Sequence, residues 1–370
     1  MSLEDRLDLT SRPALPPPMQ SWWGMACRAL PQSWRFGARY REFKELAEAG
    51  EGWPPEQIQE YQIKQLRIVL HHAANSCPFY QKSFARAAFR PEHVRTLDDL
   101  KDCPWLEKNQ LQTHLSELLS SEVPASKRIY RPGRNSAYAS TGFYLQKGVS
   151  RPKEQGFLET MWRRAGYGKG ARLAVIHGDA GPAKSHQPIA TYDAARKWLN
   201  VCHVTPQGLP ECLEALERFK PDLLHADPSV ALQLVEHFEA SGLNWPLPLR
   251  GLLCGSGGLT LPQKRILERI FHCRVYRWYG PHEQVLLAGE GASSELLYFY
   301  PQYGLVEFGP ANAQGACELI GTSFHNFVMP LIRYRTGDYA QLADPRTDGD
   351  LEFPWPAIKS VASSHQAVPV

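Results

Sequence analysis

Between Arg172 and Gly280 strand-like and helix-like segments alternate, and this alternation constrains the fold more than any other feature. "RLAVIHG" (172–178) reads as a buried strand, "ECLEALERFK" (211–220) as a helix and "PDLLHA" as a strand. "SVALQLVEHFEAS" (229–241) reads as a helix, and "LRGLLCGSGG" (249–258) as a strand running into glycines. "LPQKRILERIF" (261–271) is a helix with proline in its first turn, and "RVYRWYG" (274–280) is the next strand. Strands joined through helices pair in parallel by right-handed crossovers, so the expected fold class is α/β around a parallel sheet. In such sheets ligands sit beyond the carboxyl ends of the strands.

The flanks differ. The first thirty-five residues, rich in proline and tryptophan, read as an irregular arm. "PEQIQEYQIKQLRIVLHHA" has helical apolar spacing, with Ile58, Tyr61, Leu66 and Leu70 on one face. "SFARAAF" and "LDDLKDCPWLEKNQLQTHLSELL" continue a mainly helical segment with proline-marked turns. From Val285 to Asp344 short strands dominate, which predicts a small antiparallel sheet or barrel. The expected organisation is an N-terminal arm and helical segment (1–127), an α/β core (128–284), a β-rich subdomain (285–357) and a tail (358–370).

A formal net charge of +3 is too small to make nucleic acid or an anionic membrane the main partner. No apolar run approaches the roughly 20 residues of a membrane helix. The N-terminus lacks the apolar stretch of a signal peptide. Eight cysteines are scattered without a C-x-x-C pair, which fits free thiols in a reducing cytoplasm.

Two strand ends and one later segment could carry chemistry. Gly255-Ser256-Gly257-Gly258 exposes backbone that a flat or anionic ligand could approach. Trp278-Tyr279-Gly280-Pro281-His282-Glu283 offers aromatic faces for a base, then a glycine, then a carboxylate able to bind a hard cation. In "NFVMPLIRYRTGDYAQLAD" a strand would put Arg333 and Arg335 on one face and Tyr334 on the other. Gly337 then permits a bend that projects Asp338 at the strand's end. Taken singly, each has a plainer reading: a tight turn for the glycines, packing for Trp278 and Tyr279, a solvated carboxylate for Glu283, a turn residue for Asp338. His177, His282 and His325 lack metal-ligand spacing.

Their order points further. "WYGPHE", then "GLVEFG", then "GACELIGTSFHNFVMPLIRYRTGD" resembles the phenylacetate–CoA ligase-like branch of the adenylate-forming (acyl-CoA synthetase) superfamily. That branch includes capsule-biosynthesis ligase homologues and adenylyltransferases acting on deazaflavin cofactor. The "CPFY" and "PWLEK" landmarks of the helical segment are also similar, and the resemblance spans about Gln65 to Ala357. It implies an acid–thiol ligase that uses ATP and Mg²⁺ to make an acyl-adenylate from a small carboxylic acid, then passes the acyl group to a thiol such as coenzyme A. It further implies that Tyr279 and Gly280 border the adenine, that Gly257 and Gly258 line its pocket, and that Asp338 holds the ribose hydroxyls. Glu283 would hold the metal and, with Arg335, form the catalytic set. Self-association into a homodimer is left open.

Two departures from the family pattern matter. The Ser/Thr/Gly-rich phosphate loop is represented by "AYASTGFYLQKG", in which Ser140, Thr141 and Gly142 survive, Tyr138 and Ala139 replace small residues, and Lys147 could partly substitute. The C-terminal lid domain with its lysine is expected to be absent. Two rivals to a working ligase therefore stand: a nucleotide- or acyl-binding pseudoenzyme, and a truncated ligase.

Overall fold

The computed structural model describes residues 36–132, 142–176, 190–193, 198–201, 208–242, 244–255, 258–344 and 351–363. They fall into two compact units, one built on Leu158–Trp278 and the other on Arg39–Phe157 together with the chain from Tyr279 onward.

The second unit opens with helices α1 (Gly37–Gly50), α2 (Pro55–Ser76) and α3 (Pro78–Arg86). Pro55 and Pro78 each start a helix at the position where a missing N–H costs nothing. Ile58, Leu66 and Leu70 are buried on one face of α2 and Tyr61 packs partly buried beside them, as the spacing predicts. The stretch after Leu97 is less helical than expected, with a 3₁₀ turn at Asp98–Asp102 and four helical residues at Gln110–Thr113. Asp99 Oδ2 accepts the backbone N–H groups of Arg95 and Thr96 at 2.9 and 2.7 Å, and Pro104 prevents the turn from extending. A hairpin of β1 (Arg128–Arg131) and β2 (Phe143–Gln146) follows, then α4 (Ser150–Trp162).

The first unit carries the expected parallel sheet. Its strands are β3 (Leu173–Ile176), β4 (Ala190–Asp193), β5 (Trp198–Val201), β6 (Leu223–Ala226), β7 (Gly251–Gly255) and β8 (Val275–Tyr279). Their order is β8-β7-β6-β3-β5-β4, parallel throughout except for β4, which runs antiparallel to β5 at the edge. Helices α5 (Leu209–Phe219), α6 (Pro228–Ser241) and α7 (Leu261–Phe271) connect the strands. Cys212 and Leu216 of α5, Leu234 and Phe238 of α6, and Leu267 and Phe271 of α7 bury the apolar faces that their spacing predicts. Thr260 closes α7 with a capping box to Gln263. Strands β4 and β5 are additions to the sequence reading.

The rest of the second unit is antiparallel: β9 (Ala288–Glu290), β10 (Leu297–Phe299), β11 (Gly304–Ala311), β12 (Cys317–Ser323), β13 (Tyr334–Leu342) and β14 (Ala357–Ser363). They pair in the order β11-β12-β13-β14-β10-β9. Residues 358–363, read as tail from the sequence, belong to β14 and lie between β13 and β10. Leu319, Leu331, Ile332 and Ile358 share one apolar core with Leu66, Val69 and Leu70 of α2. No described helix is long and apolar enough to cross a membrane.

Candidate functional site

The expected strand "PLIRYR" begins only at Tyr334, because Arg333 adopts a left-handed backbone at φ 46°. The start of β13 is fastened to the Trp105–Leu106 segment: Leu106 N–H donates to the Arg333 carbonyl and Arg335 N–H to the Leu106 carbonyl, both at 3.0 Å. Arg333 and Arg335 share a face, as the period predicts, and both guanidiniums lie against the Trp105 ring, 5.6 and 5.1 Å from its centroid. Both are engaged by carboxylates. Arg333 Nε donates to both Glu307 oxygens at 3.1 Å. Arg335 Nε donates to Glu318 Oε2 at 2.8 Å and its Nη1 to Glu107 Oε1 at 2.9 Å, and the Glu318 bond holds its proton more tightly than usual.

Asp338 does not end a strand; it sits inside β13, opposite Ser363 of β14. The bend at Gly337 is a bulge: Ile320 pairs with Arg335 but Glu318 pairs with Tyr339, so β13 carries extra residues between them. Gly337, at φ 74°, supplies the backbone that this requires. The bulge turns Asp338 toward Tyr279, whose hydroxyl donates to Asp338 Oδ2 at 2.8 Å. Burial raises the Asp338 carboxyl to about 6, against the lowering effects of the Tyr279 hydrogen bond and the Lys108 charge. Lys108 is anchored close by, Nζ donating to the Thr336 carbonyl at 3.1 Å.

Glu283 lies in the turn that follows β8. Gln284 N–H donates to the Pro281 carbonyl at 2.8 Å, and the Tyr334 hydroxyl donates to Glu283 Oε1 at 3.0 Å. Glu283 also acts on Asp338, disfavouring its charged form. Each of the two carboxylates takes a tyrosine hydroxyl on one oxygen. Among the described residues the other oxygen of each accepts no hydrogen bond.

The Tyr279 hydroxyl meets Asp338, and Glu283 lies four residues beyond Tyr279 in the turn after β8. Tyr279 is only 5 % exposed and packs edge-on against Phe299, so it meets the site through its hydroxyl. Trp278 does not offer a face to a base. Strand alternation turns it to the opposite side, where it covers Gly255 and packs on Trp162 and His225. Gly142 is buried, and a Cβ there would run into the end of the exposed Tyr130 side chain. Ser140, Thr141 and Gly257 lie outside the described residues, and Gly258 is exposed in the first unit. His325 is half-buried, and desolvation lowers its pKa to about 3, which argues against a role as an acid or base near neutral pH. Sequence reading missed Tyr334 and Lys108 as members of this neighbourhood. Their motifs were visible, but which groups they bond depends on strand register.

No protein-family model matches the chain. The phenylacetate-coenzyme A ligase of Pseudomonas putida is 24% identical over 303 residues, covering 77% of this chain and 66% of that protein. The Escherichia coli (strain K12) enzyme of the same name is 24% identical over 309 residues, covering 78% and 68%. Protein CapK of Staphylococcus aureus is 18% identical over 315 residues, covering 82% and 66%. The open conformation of 2-hydroxyisobutyryl-CoA ligase superposes with a TM-score of 0.66 at 16% identity, covering 84% of this chain and 75% of that one. The chain is similar to phenylacetate–CoA ligases and shares the fold of the solved acyl-CoA ligase. It spans about two thirds of the length of the curated relatives that it matches. The likeness to the solved ligase is one of fold.

Proposed function

We propose that this chain binds ATP and activates a small carboxylic acid as its acyl-adenylate, with transfer to coenzyme A as the second step. The carrying observation is the pair Glu283 and Asp338, each oriented by a tyrosine hydroxyl and each left with an acceptor oxygen. Asp338 accepts the ribose hydroxyls, an ionised carboxylate being acceptor-only. Tyr279 and Gly280 border the adenine, whose pocket the family resemblance also assigns to Gly257 and Gly258. Ser140, Thr141 and Gly142 take the phosphates. The acid's carboxylate oxygen attacks the α-phosphate and pyrophosphate leaves, so the protein's task is positioning and charge neutralisation. Arg335 serves this site indirectly, holding the start of β13 through Glu318 and Glu107. The relatives named phenylacetate-coenzyme A ligase support an acid–CoA ligase reading, and the solved 2-hydroxyisobutyryl-CoA ligase holds 2-HIB-AMP and CoA.

Magnesium fits the residues present. Among the described residues no group of three or more His, Cys, Asp or Glu could hold a metal ion. One carboxylate, Glu283, is what Mg²⁺ needs when substrate phosphates complete its shell. Bound there, Mg²⁺ would offset phosphate charge.

A second reading, nucleotide binding without turnover, is favoured by Tyr138 and Ala139 in the phosphate loop. Calorimetry with ATP, with and without Mg²⁺, tests the first step, and pyrophosphate exchange with a panel of aromatic and aliphatic acids separates the readings. We expect micromolar to millimolar ATP binding that strengthens with Mg²⁺, and acid-dependent exchange. Binding without exchange would leave the second reading, and no binding would end both.

The Asp338 carboxyl, at about 6, sets a pH dependence. Hydroxyl donors need the ionised form, so a proton competes with the ribose and affinity falls as pH drops through that value. Adenosine, which carries no titrating phosphate, is expected to bind about tenfold more weakly at pH 5 than at pH 7. Lys108→Met removes a charge that favours the carboxylate, so it should move the midpoint upward. A flat profile for adenosine would remove Asp338 as the ribose acceptor.

A further inference from the structure

We infer that Tyr334 is a positioning residue for Glu283, holding that carboxylate in one orientation so that its second oxygen faces the metal–nucleotide complex. This rests on the ATP-binding reading above and deepens it. Tyr334 is fully buried, and its hydroxyl reaches Glu283 Oε1 at 3.0 Å from a residue 51 positions further along the chain. Its own backbone has little freedom. The flanking residues exchange hydrogen bonds with Leu106 at 3.0 Å on both sides, and the Arg333 and Arg335 side chains are tied to Glu307, Glu318 and Glu107.

The turn that carries Glu283 is held from the opposite side as well. Gln284 is a non-glycine residue at φ 56°, a conformation that persists only where the surroundings impose it. Its carbonyl accepts a hydrogen bond at 3.1 Å from Lys153 Nζ, and Lys153 is itself buried, its Nζ 3.7 Å from the centroid of the Tyr303 ring. The next two residues press onto β12 where Gly321 stands. A Cβ there would lie 2.8 Å from Val285 Cγ2 and 2.9 Å from Leu286 Cγ, so only glycine admits this approach. Gly321 is also the strand partner of Tyr334. A single glycine thus lets the turn seat on the sheet beside the tyrosine that bonds its carboxylate. An ordinary surface glutamate needs none of these ties. A carboxylate that must meet a cation with one defined oxygen does, because partners of metal ligands typically change metal affinity by 10- to 100-fold.

Tyr334→Phe removes one oxygen and keeps the ring. In calorimetric titrations of Mg²⁺ at fixed ATP, we expect the half-saturating Mg²⁺ concentration to rise about tenfold relative to wild type. Binding of AMP in the presence of a chelator should stay within about twofold, since no metal takes part, and a purely structural role would move both. In a Glu283→Gln background the Tyr334→Phe change should have no further effect on the Mg²⁺ requirement. If Tyr334→Phe does not fold, Lys153→Met takes its place; it frees the same turn from the other side and is expected to act in the same sense. An unchanged Mg²⁺ requirement, or equal losses of AMP and Mg²⁺–ATP, would overturn the inference while leaving the nucleotide reading intact. Wild-type protein whose ATP binding ignores Mg²⁺ would overturn the inference through its premise, and wild-type protein that binds no nucleotide would overturn both.

Discussion

Replacing Arg333 with alanine is expected to lower the melting temperature by roughly 6–20 °C. The guanidinium is 8% exposed and satisfies several buried groups at once. Its Nε reaches both oxygens of Glu307, and its Nη1 donates to the carbonyls of Lys101 and Cys103 at 2.9 and 2.6 Å. Truncation leaves the Glu307 charge half-buried without its partner and two carbonyls without a donor. Breaking such a pair by removing one member costs about 3–5 kcal/mol. In a body of this size each kcal/mol is worth about 2–4 °C.

The pH dependence of this loss has a definite sign. Burial already pushes the Glu307 carboxyl above the usual carboxylate range, against the opposing pull of Arg333. Without the arginine it takes up a proton more readily, so protonation at pH 5 relieves part of the penalty that persists at pH 8. The melting temperature of the variant should therefore differ more from wild type at pH 8 than at pH 5. Adding Glu307→Gln should recover part of the loss, because the two side chains act as a pair. A drop of under about 2 °C would mean that the Trp105–Leu106 segment does not depend on Arg333.

Asp338→Ala is expected to weaken nucleotide binding at least about tenfold. Two charge-assisted hydrogen bonds to a ribose diol are each worth roughly 1.5–3 kcal/mol in a favourable site, and about 1.4 kcal/mol already makes a factor of ten. The variant also strands the Tyr279 hydroxyl, whose bond to Asp338 Oδ2 is 2.8 Å long. A modest fall in the stability of the free protein is therefore expected alongside the binding loss. The two effects are separable with 2′,3′-dideoxy-ATP, which lacks the hydroxyls and should bind wild type and variant almost equally. Equal loss of ATP and dideoxy-ATP would show that Asp338 shapes the site without reading the sugar.

What could be read directly from the residues was local. Helices α5, α6 and α7 follow from an apolar period of 3.6, β8 from alternation, and β6 and β7 from short apolar runs that the sheet buries on both faces. The motifs around Tyr279, Glu283 and Asp338 were legible for the same reason, as short runs of residues with special chemistry. Register and long-range pairing were not legible. The bulge at Gly337 exists because β12 and β13 slip past one another, and it moved Asp338 from an expected strand end to the middle of β13. Arg333 and Arg335 share a face as the period predicts, yet which acids take their charges, Glu307 and Glu318 on neighbouring strands and the distant Glu107, was not readable. The Tyr334–Glu283 bond likewise joins two motifs that no local pattern connects. Periodicity says which face of an element is apolar. Only the packed sheet decides which donor meets which acceptor, because a shift of one residue would present the opposite set of side chains.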